Sequence, residues 1–222
     1  MCFSAEADFV TGAVVGTIGV LTLTKVEHPR ELALGTLPLA LAAHQVVEGF
    51  VWLGREGHAA RSISDLAAYI YVAFAWVVLP VFFPLCMYLV EPIQKRRRAM
   101  APFLALGGVV SLYMLWSVIH NDVTAHAVHN TIQYGGAGEY AVPATILYVI
   151  ATCAPPMMSS HRAIVLFGAA NLIAVLLIAW AQADGLTSVW CVWAAIISVL
   201  IYVQFVYWRR HSPTSVPVPA LT

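Results

Sequence analysis

LAAHQVVEGFVWL, residues 41–53, places three hydrogen-bonding side chains, His44, Gln45 and Glu48, inside an otherwise apolar run. His44 and Glu48 are four residues apart, so a helix stacks them on one face, with Gln45 beside them and Trp52 one turn further on. The flanking residues, 32–43 and 50–53, read as a membrane-spanning helix. An ionisable group at membrane depth costs about 2.5–3.5 kcal/mol on insertion scales, and such groups face a bundle interior or a wet cavity. Glu48 is therefore the first candidate for a functional site. The competing reading is a polar pair that only bridges helices.

Composition extends the membrane reading to the whole chain. Of 222 residues, 61% are hydrophobic and only 10% charged, where a soluble domain carries about 25% charged residues. The net charge is zero, so nothing in it points to nucleic acid as a partner. The opening, MCFSAEADF, has no basic segment and no small-residue cleavage site, so the first helix reads as retained. Cys2, Cys86, Cys153 and Cys191 show no CxxC spacing and read as small buried hydrophobes.

A membrane crossing takes about 20 apolar residues. Seven stretches qualify: 9–24, 32–53, 66–90, 102–119, 140–157, 164–181 and 186–208. Pro38, Pro80 and Pro84 fall inside them, which a membrane helix tolerates where its neighbours satisfy the freed carbonyls. The expected fold is all-α: a polytopic bundle of seven transmembrane helices over residues 1–210, with a disordered tail at 211–222. Lys25 with Arg30, the run Lys95 to Arg98, His161-Arg162 and Arg209-Arg210 all fall on one side of seven spans, and only Arg55 and Arg61 dissent. That bias places the N-terminus outside and the C-terminus in the cytoplasm of a multi-pass protein of the cell membrane.

This topology sets depth. Glu48 lies about 8–9 Å below the outer end of the second span and His44 about 6 Å deeper. His120 and Asp122 cap the outer end of the fourth span, and Asp184 lies between the sixth and seventh. The longest loop, residues 120–139, is polar, holds three histidines and faces outward. Aromatic belts populate both interfaces, yet here Trp52, Tyr71, Trp116, Trp190 and Trp193 gather toward the outer half. Trp76, Tyr113 and Trp193 are too deep for a belt and are the better pocket candidates. The expected catalytic set is Glu48, His44, Asp122 and Asp184. Trp52, Tyr71, Trp76, Tyr113, Trp116, His120, Trp190 and Trp193 are expected to bind substrate.

Three chemistries could use this set. A protonated Glu48 ringed by aromatic faces could start cyclisation or isomerisation of a prenyl chain, a substrate already dissolved in the bilayer. His120, His126 and His129 could hold zinc with Asp122 or Glu48 in a lipid hydrolase, although the spacing is far looser than HExxH. Glu48 and His44 could instead form a proton relay or small-solute site in a carrier or sensor. The first is preferred, with no metal or other cofactor, a hydrophobic small molecule and membrane lipid as partners, and no protein partner.

Two resemblances accompany this reading. The opening MCFSAEADF, the block HPRELALGTLPLALAAHQVVEGFVWLG, the SSHR of 159–162 and SVWCVWAAIISVLIYVQF resemble an uncharacterised family of bacterial membrane proteins. Seven helices with a carboxylate followed by an aromatic in the second, Glu48-Gly49-Phe50, resemble the membrane-bound terpene cyclases. That second likeness implies an acid that protonates a terminal alkene or epoxide. Glu48 would be that acid and Asp184 or Asp122 a second carboxylate, while His44 departs from the pattern.

Overall fold

The computed structural model describes residues 4–128, 131–180 and 186–211, with 128, 131, 178–180, 186–192 and 211 described by backbone alone. Among these residues the chain forms seven helices: α1 (Ala5–Leu23), α2 (Leu32–Arg55), α3 (Arg61–Val90), α4 (Gln94–His120), α5 (Ala141–Met157), α6 (Arg162–Trp180) and α7 (Leu186–His211). Four are long and apolar enough to cross a membrane: α1, α2 with its leading turn from Pro29, α3 and α4. α5 and the stretch Arg162–Leu177 of α6 are shorter apolar helices. His129, Asp184 and the tail at 212–222 lie outside the described residues.

α1 and α2 make the tightest pair, for a reason written in α1. Its buried residues, Ala5, Asp8, Gly12, Val15, Gly19 and Thr22, step by three and four and so form one stripe. The glycines in it let the backbones close up. A Cβ on Gly12 would lie 2.9 Å from Val46 Cγ2, and one on Gly19 2.9 Å from the Leu39 amide nitrogen. α2 is the central helix, burying Leu34, Leu37, Leu41, Val51 and Trp52 along its length.

α3 is not a plain helix. Residues Ala73–Val78 widen into a π-type turn just before Pro80. Pro80 has no N–H to donate and its ring crowds the carbonyl four residues back. Nearby carbonyls are bonded from other helices: the Tyr148 hydroxyl donates to Ala75 O at 3.1 Å and Ser111 Oγ to Val77 O at 2.6 Å. The neighbours thus do what the sequence reading requires of them. Gly107 of α4 sits hard against the Pro80 carbonyl, where any Cβ would collide.

The loop expected at 120–139 contains a two-stranded antiparallel hairpin, β1 (Thr124–Val128) and β2 (Thr131–Gly135), with Ala125 opposite Tyr134 and His126 opposite Gln133. An all-helical reading misses it. Alternation gives the hairpin two faces: Ala125 and Ile132 are buried, while His126 is exposed. The buried face packs with Ala5, Val51, Trp52, Ala67 and Ala68, so the hairpin covers that end of the bundle.

At the opposite end, basic side chains tie helix termini together. Arg209 donates Nε–H to Lys25 O at 2.6 Å and pairs with Glu27 and Glu31. Arg96 donates to the carbonyls of Met158 and Ser159 at 3.1 and 2.6 Å. Glu91, 1% exposed, accepts from Ser160 N at 2.8 Å, Ser159 Oγ at 3.1 Å and Ile93 N at 3.1 Å. The turn from Met158 to His161 is therefore held from two sides.

Candidate functional site

Beneath the hairpin lies a group of buried polar side chains. α2 contributes His44, Gln45 and Glu48, which are 6%, 1% and 1% exposed. α1 contributes Asp8, which is fully buried and lies on the stripe that faces α2. The Tyr71 hydroxyl of α3 hydrogen-bonds the Glu48 carboxyl, and Asp8 lies close enough to act on Glu48 electrostatically. The stretch around Glu48 thus meets an acid from a different helix.

A stack of rings closes the group from the hairpin side. His44 lies on Tyr71 with centroids 3.9 Å apart and planes 16° from parallel, and Tyr71 lies on Tyr134 of β2 at 4.4 Å and 14°. Phe74 meets His44 at 4.9 Å. Burial pushes the Tyr134 phenol well above its ordinary range; Glu48 and Asp8 add to this and Arg55 opposes it. The phenol is accordingly a neutral donor. Arg55 itself is engaged with Asp65 at 2.8 Å.

Several atoms of the group are left over. Both carboxylate oxygens of Asp8, both ring nitrogens of His44, the Trp52 indole nitrogen and the Tyr134 hydroxyl have no hydrogen-bond partner among the described residues. Each buried polar group so placed costs about 1–3 kcal/mol. Such a cluster in a folded protein calls for a reason, and a proton or a small polar ligand is the simplest occupant.

Of the twelve residues expected to form the site, four come together here: His44, Glu48, Trp52 and Tyr71. Asp122 is exposed where α4 leads into the hairpin. His120 stacks on the half-exposed Trp116 at 4.8 Å, with its Nδ1 2.8 Å from the Trp116 carbonyl oxygen. Trp76 and Tyr113 pack in a separate cluster with Val110, Met114 and Ala144. The Tyr113 hydroxyl donates to Ala137 O and accepts from Tyr140 N, both at 3.2 Å, so this ring pins the hairpin's exit. Trp193 donates to Asn171 Oδ1 at 2.6 Å. Asp184 and the Trp190 side chain lie outside the described residues. His126 points away from the bundle, and among the described residues no three His, Cys, Asp or Glu side chains gather as a metal would require.

Two members escaped the sequence reading. Asp8 was legible as the one acid on a stripe of small residues spaced three and four apart. Tyr134 is legible only through the weak alternation of residues 131–135.

A cavity of about 480 Å³ opens at the far end, between the start of α6 and the last turns of α7. A void of about 30 Å³ lies between, lined by Leu37, Leu41, Tyr148 and Asn171 among others. Neither is lined by His44 or Glu48.

Residues 1–217 match the model of a family of unknown function, DUF6629, and the chain belongs to that family. No curated protein and no solved structure matches it.

Proposed function

We propose that this member of the family is a multi-pass protein of the cell membrane, with seven crossings, its N-terminus outside and its C-terminus in the cytoplasm. In this reading the Asp8–His44–Glu48 group takes up and releases protons in a carrier or sensor. The observation that carries it is the facing of two fully buried carboxyl groups, from α1 and α2, with Tyr71 bonded to one of them and stacked on an imidazole whose nitrogens have no partner among the described residues. Two like charges in so dry a place cannot comfortably coexist, so the group shares protons. Tyr71 supplies a hydrogen bond to Glu48, and the hairpin excludes bulk water. Opening of the hairpin would then be the natural route for exchange.

A second reading is acid-initiated cyclisation of a prenylated, lipid-soluble substrate with Glu48 as the acid. The rings of Tyr71, Tyr134, Phe74 and Trp52 favour it, because aromatic faces stabilise a developing cation. It ranks second because a prenyl chain needs room beside the acid, and both cavities described above lie elsewhere.

Proton exchange of the purified protein, followed with a pH dye after a pH jump, tests the first reading. Glu48→Gln and Asp8→Asn should each bind fewer protons than the native chain across the jump. Equal counts would sink it. Turnover of a prenylated substrate, lost about 10²–10⁴-fold in Glu48→Gln, would replace it with the second.

A further inference from the structure

The cavity at the basic end has a divided lining. Its mouth carries Ser160, His161 and Arg162; its interior is made by Phe83, Ile164, Phe167 and Ile201. At about 480 Å³ it falls within the range of about 300–1,000 Å³ typical of small-molecule sites. It is flanked by Leu200 and Val203 of α7, which are 43% and 54% exposed, so its wall is continuous with the apolar outside of the bundle.

Three observations at the mouth favour negative charge. Arg162 forms no ion pair or hydrogen bond among the described residues. The amides of Arg162, Ala163 and Ile164 open α6 with no backbone acceptor there. A helix start with free amides attracts anions. The third observation is independent of both: Gln204 of α7, only 7% exposed, lines the cavity and makes no hydrogen bond among the described residues. Its amide therefore faces the cavity from an otherwise apolar wall and offers a hydrogen bond to whatever polar group enters.

We propose that this cavity binds a single-chain amphiphile with an anionic head, a fatty carboxylate or an alkyl or prenyl phosphate, entering from the bilayer between α6 and α7. The head lies against Arg162 and the first amides of α6, within reach of Gln204 and on the far side of Ser160 from the Glu91 carboxylate that Ser160 N binds. The chain runs between Phe83 and Phe167. This site stands apart from the group under the hairpin, and its occupancy does not depend on the reading given to that group.

The test uses the full chain in nanodiscs of a zwitterionic phospholipid, with binding read by native mass spectrometry. Dodecyl phosphate and dodecanoate separate the two head chemistries; dodecanol and inorganic phosphate separate chain from head. Both anionic amphiphiles, or one of them, should bind saturably and at least about tenfold tighter than dodecanol or phosphate, a difference of about 1.4 kcal/mol. Arg162→Gln should weaken them about tenfold, and Phe167→Trp should block the chain. Leu200→Trp, on the exposed side of the entrance, gives the same loss if Phe167→Trp fails to fold. Equal binding of all amphiphiles, unmoved by these variants, would mean simple partitioning and would overturn the proposal. So would phosphate alone binding as tightly as dodecyl phosphate.

Discussion

Two of the buried acids, Glu91 at the end of the bundle and Asp8 inside it, show how context sets a carboxylate's role. Glu91, where α3 gives way to α4, accepts from Ser160 N, Ser159 Oγ and Ile93 N. Burial pushes its carboxyl up, but these hydrogen bonds outweigh burial and leave it below its ordinary value of 4.5. The ionised form is thus the one the fold stabilises: its contribution is full above that value and is lost as the pH falls through the folded value. His161 acts in the same sense. Burial holds its imidazole below the ordinary 6.5, against the pull of Glu91 and the Val90 carbonyl, so falling pH through the histidine range also weakens this turn. Glu91→Gln should lower stability at neutral pH by about 1.5–3 kcal/mol, the range for hydrogen bonds to a charged group, and should flatten the acid limb. Thermal melts in detergent across pH check this; an unchanged acid limb would contradict it. Asp8 is the opposite case, an acid with no hydrogen bond among the described residues. Its importance was readable from spacing alone, but a reading that begins at long apolar runs treats residues 4–8 as a lead-in.

At the scale of elements, the long apolar runs announced α1 to α4 because a crossing helix has no other way to satisfy its backbone. Pro80 and Pro84 mark α3 as a helix that needs its neighbours, without giving the π-type turn. The π-type turn depends on Ser111 and Tyr148, which come from α4 and α5, and a local reading does not contain them. The hairpin was hidden because five-residue strands carry a weak pattern, and Ala125 and Ala127 dilute the alternation. Adjacent glycines in α4 give a sharp test of the α3–α4 contact. A Cβ at Gly107 collides with the Pro80 carbonyl, whereas one at Gly108 meets nothing within 4 Å. Gly107→Val should cost about 1–3 kcal/mol or more, as overpacking does. Gly108→Val should lie within about 0.5 kcal/mol of the native chain, as surface changes do. Equal melting temperatures for the two variants would show that α3 and α4 are packed differently.

For the whole molecule, the basic clusters near residues 25–30, 95–98, 161–162 and 209–210 meet at one end of the bundle. There Arg96 and Arg209 also bind helix termini together. Charge bias predicts that this end is cytoplasmic. Reporter fusions after Arg98 and after Thr222 should therefore both read cytoplasmic, and an outside signal from either would break the seven-crossing topology. Membership of the site was hard to read in the sequence, since it depends on which helices meet: Trp76, Tyr113 and Trp193 pack against other neighbours. The central claim is that Asp8 and Glu48 share protons in a dry place between α1 and α2. Infrared spectroscopy of the native protein at neutral pH addresses it most directly, through the C=O stretch of a protonated carboxylic acid shielded from water. The account predicts such a band, shifted or reduced in Asp8→Asn or Glu48→Gln and absent from the double variant. No band in the native protein, or one that survives in the double variant, would contradict it.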